Sequence, residues 1–469
     1  MEQSPNSSST DNLSIDILIL AAGLGTRMRS NKAKVLHELD GKPLIAHVCR
    51  TAAALAPEKI FVVVGHQADE VKQAVGRELG EEQTGFVLQK EQLGTGDAVD
   101  AAREFLQDKD SMLVILSGDV PIIRAETLAS LIQQHRNQKA ACTILTVELK
   151  DPTGYGRIIR DENKKFSHIA EQKDGSKDEL KVREINSGIY CFNTRLLYQM
   201  LKQITPSPVT GEYYLTDVPA LLRENGETVS LYLHNDAREV SGINNRAELA
   251  DLERLVHRRT IKNLMLESGV SFIDPKSVCI GADVRIGRDT VIYPNVYLEG
   301  DTVIGDECEI RSGTRIKDSK VGNGVIIQDN CLITDSEIEN DCTVGPMAHL
   351  RGQAKMEEGA KIGNFVEMKK TVLGKGSKAS HLSYLGDATI GENTNIGAGT
   401  ITCNYDGKNK NKTVIGNNVK IGSDTMLVAP VTVGDGAMTG AGTVVRKDIP
   451  ENTLAVGQPA RNIRKVTSE

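Results

Sequence analysis

Cys279-Ile-Gly-Ala-Asp-Val-Arg-Ile286-Gly-Arg-Asp-Thr-Val-Ile292 sets the reading of the second half of the chain. Its isoleucines are six residues apart, and the spacing runs on through Leu298, Ile304, Ile310 and Ile316. After a slip of phase it resumes at Ile326, Leu332, Ile338, Val344, Leu350, Met356, Ile362 and Met368. It returns at Ile390 and Ile396, and again at Ile415, Ile421, Leu427 and Val433. A period of six fits neither a helix nor a flat sheet. It fits a coil of short strands joined by tight corners, with one aliphatic side chain per hexapeptide pointing inward and glycine easing the turn. On this reading the breaks at Thr371–Ala388 and Cys403–Thr413 are loops expelled from the coil, a place where function concentrates.

Before this region the pattern changes. Leu249, Leu252, Leu255, Val256, Ile261, Leu264 and Met265 recur at helical spacing, which predicts a connecting helix over Arg246–Leu266. Further upstream, apolar runs at Ile17–Leu20, Ile60–Val64, Met112–Leu116 and Cys142–Val147 predict strands. Pro43–Leu55 and Ala68–Glu78 read as helices between them, so the first half is expected to be α/β with a mostly parallel sheet. The expected division is a disordered tail over 1–14, an α/β domain over 15–245, a linker helix over 246–268 and the repeat domain over 269–469.

Composition narrows the classes of function. The 469 residues include no Trp, seven Phe and ten Tyr, but 43 Gly, as expected for cores of repeated small aliphatic units. A net charge of −7 argues against groove-wide nucleic-acid binding. No apolar run approaches the ~18 residues needed to span a membrane. The first thirteen residues lack the basic start of a signal peptide. Eight scattered cysteines without a CxxC pair suit reduced thiols in a cytoplasmic protein, not disulfides or a zinc site.

Two places carry chemistry. Leu20-Ala21-Ala22-Gly23-Leu-Gly25-Thr-Arg27-Met follows the first predicted strand, where glycine lets backbone N–H groups approach a phosphate beside an expected helix N-terminus. Arg27 and Lys34 add two cations suited to a polyphosphate. Asp119 follows the strand Met112–Leu116, at the carboxyl edge where ligands of parallel sheets bind. On the residues alone, a Mg²⁺ ligand and a plain turn residue are equally open readings of it. The second place is His381, between Ser380 and Tyr384 in one of the breaks, with Lys369, Lys370, Lys375 and Lys378 nearby. Acyl transfer to an amine needs a base of near-neutral pKa, and histidine supplies one.

Leu20–Met28 and Gly41-Lys-Pro-Leu44 resemble the motifs of sugar-1-phosphate nucleotidyltransferases. Longer stretches resemble the bifunctional members of that family, which acetylate glucosamine-1-phosphate and then uridylylate the product. They include Gln89-Lys-Glu-Gln-Leu-Gly94-Thr95-Gly, Gly118-Asp119-Val-Pro, Glu184-Ile-Asn186-Ser-Gly, Gly242-Ile-Asn244-Asn-Arg, Gly363–Lys370, Gly374–Asp387 and Asn395–Gly407. The resemblance covers about Ile17 to Arg461.

It implies a Rossmann-like nucleotidyltransferase domain and a left-handed parallel β-helix. Three hexapeptides per coil would give Val270–Val445 about ten coils, assembled as a homotrimer. It implies Mg²⁺ held by Asp119 and Asn244, and UTP near Leu20, Ala21, Ala22, Gly23, Gln89, Gly94, Thr95 and Gly118. Arg27 and Lys34 would meet phosphates, and Gly156, Glu171 and Asn186 the sugar. In the repeat domain it implies His381 as base, with the sugar phosphate on Arg351, Lys369, Tyr384 and Asn395. Ala398, Asn404, Tyr405, Ser423 and Ala441 would meet acetyl-CoA. Three positions depart from the family pattern: Ala33 in place of a proline, His349 in place of an arginine, and Gln458 in place of an arginine expected to touch CoA. Two other readings share these folds, a single-activity pyrophosphorylase with a structural β-helix and a non-catalytic scaffold.

Overall fold

The computed structural model describes residues 13–465; the expected tail lies outside the described residues except for Leu13 and Ser14, and Ser14 already opens the first strand. The chain divides after Leu252 into two compact units. The division falls within the helix Arg246–Glu267.

The first unit is built on one sheet. Along it run Val229–Leu233, Cys142–Glu148, Glu184–Asn193, Ser111–Ser117, Ser14–Leu20, Lys59–Val64 and Thr84–Leu88. All neighbours pair in parallel except Glu184–Asn193, which is antiparallel to both strands beside it. Strands such as Ile17-Leu18-Ile19 are buried on both faces, which is why they read as unbroken apolar runs rather than alternating ones. Ile17 and Ile19 face one core with Val48, Cys49 and Val71, while Leu18 faces the other with Val99 and Leu113. Strand order reverses between Ser14–Leu20 and Ser111–Ser117, and the crevice beyond their carboxyl ends is where an α/β sheet holds its ligand. The GxG turn is followed by a single 3-10 turn, Thr26–Met28, instead of the expected helix. Gly25 and Arg29 on either side are left-handed, and a Cβ at Gly25 would collide with Lys34, so the loop folds back on itself rather than launching a helix.

The second unit is a parallel β-helix of hexapeptide repeats, the coil expected from the period of six, and it is the left-handed form that the family resemblance implies. Three sheets form its faces, and strands of neighbouring coils pair in register, as Val291–Ile292 does with Glu309–Ile310. The first series of aliphatic residues, Ile280 to Ile316, lies inside as predicted. The second series needs correction. Ile327 and Ile333 are the buried residues, while Ile326 is partly and Leu332 clearly exposed, because the phase slips by one between Ile316 and Val321 and again between Ile333 and Ile338. The expected loop at Thr371–Ala388 is not expelled. Val372–Leu373, Lys378–His381 and Tyr384–Gly386 are ordinary rungs, with Ala379 taking the inward place of an aliphatic residue. Residues 404–412 do leave the coil, closed by a bridge between Tyr405 and Lys410.

Each hexapeptide turns a second residue inward, two before the large one, and that place takes only small side chains. Thr290, Cys308, Val325, Cys342, Ala360 and Ser377 occupy it on successive coils of one face. At Thr290 and Thr394 its hydroxyl joins coils. Thr290 Oγ1 donates to Gly305 O at 2.9 Å and accepts from Cys308 N at 3.0 Å; Thr394 Oγ1 does the same with Gly416 O (2.8 Å) and Val419 N (3.1 Å). These two hydroxyls thus each satisfy a carbonyl and an amide of the next coil.

Both ends of the stack are covered. Ile261 and Leu264 of the helix pack into the core that begins with Val270 and Phe272. At the other end Arg461–Lys465 turns back antiparallel on Thr453–Val456, with all five residues exposed. All eight cysteines are free, and burial pushes the Cys49 thiol up to about 12, so it stays protonated and inert. Among the described residues no helix is long and apolar enough to cross a membrane.

Candidate functional sites

The first site is a cleft at the reversal of strand order. Leu20, Ala21, Ala22 and Gly23 line it from the end of the central strand, and Gln89, Gly94 and Thr95 from the next loop. Arg27, Lys34, Asp119 and Asn244 complete it. The last four meet directly. Lys34 Nζ forms an ion pair with Asp119 Oδ2 and donates to Asn244 Oδ1 at 3.1 Å, and Arg27 donates to the same oxygen at 2.7 Å. Residues 119 and 244 are held together by their backbones, Ile243 N donating to Asp119 O at 3.1 Å. Gly118 does not line the cleft; its amide donates to Leu20 O at 2.9 Å and ties the two strand ends together where a side chain would strike Val35 and Ile45.

Gly156, Glu171 and Asn186 also stand outside the cleft, as a cluster of their own. Asn186 N donates to Gly156 O at 2.9 Å, and Thr216 Oγ1 donates to Glu171 Oε1 at 2.8 Å. Burial raises Glu171 above the usual carboxylate range, with Asp217, Asp174 and Glu212 adding repulsion against the Thr216 hydrogen bond. Segment 212–216 connects cluster and cleft, since Glu212 lines the cleft and Thr216 holds Glu171. Sequence reasoning missed Glu212, and also Gln92, whose amide closes the loop over the cleft by donating to Ala22 O at 2.9 Å. Gln92 lay inside a quoted motif, but nothing in its spacing marked it out.

The second site is a corner of the β-helix. Asn364 and His381 are register partners on successive coils, and His381 Nδ1 lies 2.7 Å from Asn364 Oδ1. The same corner continues through Ala398, Ser423 and Ala441. The carbonyls of Asn364, His381, Ala398 and Ser423 accept in turn from the amides of Leu382, Gly399, Asp424 and Gly442. The expected base and three of the expected acetyl-CoA residues therefore form one column, at about 4.8 Å per coil. Gln458 ends it, its amide donating to Gly442 O at 2.7 Å.

Beside the corner, Arg351 and Lys369 are register partners on the adjoining face, and Tyr384 lies one coil on, opposite Glu367. Arg351 Nε donates to Glu367 Oε1 at 2.8 Å. Lys410 approaches Lys369 amine to amine, and that contact and its repulsion lower Lys369 below the usual ammonium range. His349, part-buried next to Arg351 and Glu367, is lowered chiefly by burial. Asn404 Nδ2 donates to Asp387 at 2.5 Å, and Tyr405 stands exposed on the loop beside it. Asn395 is not brought to the corner; it lies on a flat face with Lys378 and Lys420 as register neighbours. Asn364 was not among the expected site residues, although it is the second residue of the Gly363–Lys370 stretch, seventeen residues before His381 and one coil away.

Comparison with known proteins agrees with two functional units. The nucleotidyl transferase family model matches residues 17–237, that of the GMPPB C-terminal domain residues 269–356, and that of the bacterial transferase hexapeptide (six repeats) residues 412–447. "Bifunctional protein GlmU" of Geobacillus sp. (strain WCH70) is 46% identical over 448 residues, 96% of each chain. The protein of the same name from Syntrophomonas wolfei is 46% identical over 444 residues, 95% of this chain and 97% of its own. That from Heliobacterium modesticaldum is 46% identical over 448 residues, 96% of each.

Proposed function

Because the chain belongs to the bifunctional GlmU family, we infer that it acetylates glucosamine-1-phosphate with acetyl-CoA and couples the product to UTP, giving UDP-N-acetylglucosamine and pyrophosphate. The observation that carries this reading is the presence of two separate charged sites, one in each unit, each with the groups its half-reaction needs.

In the cleft, a phosphate oxygen of the sugar phosphate attacks the α-phosphorus of UTP and pyrophosphate leaves. No protein nucleophile is required, so positioning and charge neutralisation carry the reaction. Arg27 and Lys34 bind the polyphosphate, while Glu171 and Asn186 orient the sugar. The oxygens of Asp119 and Asn244 suit magnesium. They offer one carboxylate and one amide, too few for a closed cage but right for an ion that keeps waters and shares phosphate oxygens, and no cluster of three acidic, His or Cys ligands occurs among the described residues. Magnesium held there by Asp119 and Asn244 would supply positive charge against the negative charge that develops on the phosphates.

At the corner, Nε2 of His381 takes the proton from the substrate amine as it attacks the thioester carbonyl; the C–S bond breaks, and that proton passes to the departing thiolate to give free CoA. Arg351, Lys369 and Lys410 form a cationic patch for the sugar's phosphate, and the crowding of Lys369 and Lys410 is relieved when a dianion sits between them. The thioester chain runs along the column Ala398–Ser423–Ala441.

The β-helix assembles as a trimer. Met347, Phe365 and Leu382 occupy successive corner positions with positive φ (54°, 59° and 48°), a costly conformation for large side chains, and present three exposed apolar groups beside the column. The test of the whole reading is one assay of purified protein with glucosamine-1-phosphate, acetyl-CoA, UTP and Mg²⁺. Release of both free CoA thiol and pyrophosphate is expected; pyrophosphate alone, from supplied N-acetylglucosamine-1-phosphate, would leave a single-activity enzyme.

A further inference from the structure

Gln89 is 6% exposed, yet it lines the cleft. Its amide nitrogen has two partners, Asp97 Oδ2 at 2.7 Å on the helix that follows the loop and Gly94 O at 3.2 Å at that helix's N-cap. Both partners only accept. The amide cannot turn over without setting its oxygen against a carboxylate and a carbonyl, so its nitrogen is fixed and its oxygen is the polar end left for a ligand. The partners are themselves held. Tyr213 N donates to Leu93 O at 2.7 Å and Gly96 N to Tyr213 O at 2.8 Å, which pins the backbone on both sides of Gly94. Gly94 has φ +118°, and a side chain there would strike the Tyr213 backbone. Asp97 sits in the first turn of the helix Thr95–Asp100 and does not itself line the cleft.

We propose that Asp97 is a positioning residue that sets base specificity, by holding Gln89 so that a hydrogen-bond acceptor meets the Watson–Crick edge of the bound nucleotide's base. The proposal rests on the cleft being the nucleoside triphosphate site. An acceptor there receives the N3–H of uracil. Cytosine presents a lone pair at N3, so two acceptors would face each other and the buried amide oxygen would go unpaired. Thymine has the same N3–H as uracil, so this contact leaves the two alike.

The test compares kcat/KM for UTP and CTP, with N-acetylglucosamine-1-phosphate as the second substrate. The wild type is expected to favour UTP. Asp97→Ala frees the amide to turn and should lower the UTP-to-CTP ratio about tenfold, the scale of losing one hydrogen bond to a charged group. Asp97→Asn can still offer an oxygen to the Gln89 nitrogen and should keep most of the ratio. Asp97→Ser, which is too short to reach, replaces Asp97→Ala if that variant does not fold. Acetyl transfer by the same preparations should be unchanged. An Asp97→Ala enzyme that loses activity equally with UTP and CTP overturns the proposal, because a merely structural residue gives that pattern. A wild type that uses UTP and CTP alike also overturns it while leaving the uridylyl reading in place. A wild type that releases no pyrophosphate from any nucleotide removes the reading on which the proposal stands.

Discussion

His381 Nδ1 and Asn364 Oδ1 lie 2.7 Å apart across one coil of the β-helix. An amide oxygen only accepts, so Nδ1 carries the hydrogen and Nε2 keeps its lone pair for the substrate amine. His381→Ala should cut acetyl transfer by about 10²–10⁴-fold and leave uridylyl transfer unchanged. Asn364→Ala should have a smaller effect of the same kind. Asn364→Asp places a carboxylate beside the ring and favours its protonated form, so the acid limb of the acetylation rate should move to higher pH. A pH profile for the Asp variant that overlays the wild type would show that the Asn364 contact does not govern the base.

The Asp119 carboxylate has a separate readout. Asp119→Ala should abolish pyrophosphate release and leave CoA release near its original rate, because the two sites belong to different compact units. Addition of EDTA should reproduce that pattern. Acetylation that falls in parallel would mean that the metal serves both reactions.

Glu171 gives a pH signature of its own. Its carboxylate, proposed to accept from the sugar, accepts more strongly when ionised than when protonated, and burial raises its pKa. Binding therefore weakens as pH falls through that raised value, above the ~4.3 of an ordinary glutamate. The KM for N-acetylglucosamine-1-phosphate should climb on that side, and Glu171→Gln should show a higher KM without the climb. Initial-rate measurements from pH 5 to 8 decide it.

Thr394 tests how coils are joined. Its hydroxyl serves Gly416 O and Val419 N inside the stack. Thr394→Val keeps the shape and strands both groups, at a cost of about 1–3 kcal/mol. Urea denaturation of the repeat unit should shift accordingly, and an unchanged midpoint would mean that the neighbouring coils close over the loss.

A fragment beginning at Arg246 has its core within itself, from Ile261 to Ala455. It should fold, form trimers and retain acetyl transfer. A monomeric fragment with full activity would remove the trimer from the mechanism.

The period of six was legible because Ile280, Ile286, Ile292, Leu298, Ile304, Ile310 and Ile316 are large and recur without a slip over six intervals. It was misread at Val325-Ile326-Ile327, where three aliphatic residues compete and only packing chooses Val325 and Ile327. It vanished at Ala379, whose methyl group gives no signal although it fills the inward place. The second inward row was invisible for the same reason, since Thr, Ser and Cys serve equally well in turns. The cleft was marked by Arg27 and Lys34, whose charge suits a polyphosphate, while Asp119 stood open between ligand and turn residue until the family resemblance was weighed. Gln92, Asn364 and Asp97 are each marked by one side-chain hydrogen bond, to Ala22, His381 and Gln89, and such a bond exists only once the chain has folded.

The returning strand Arg461–Lys465 has a consequence for the life of the protein in a crowded solution. A parallel stack would otherwise end in open backbone groups of the right spacing for another molecule's first coil, and end-to-end growth would make a filament. The last strand runs the opposite way and exposes Arg461, Arg464 and Lys465, so an incoming coil meets the wrong polarity and a run of charged side chains. With the helix covering the first coil, the repeat counts itself to a finite length.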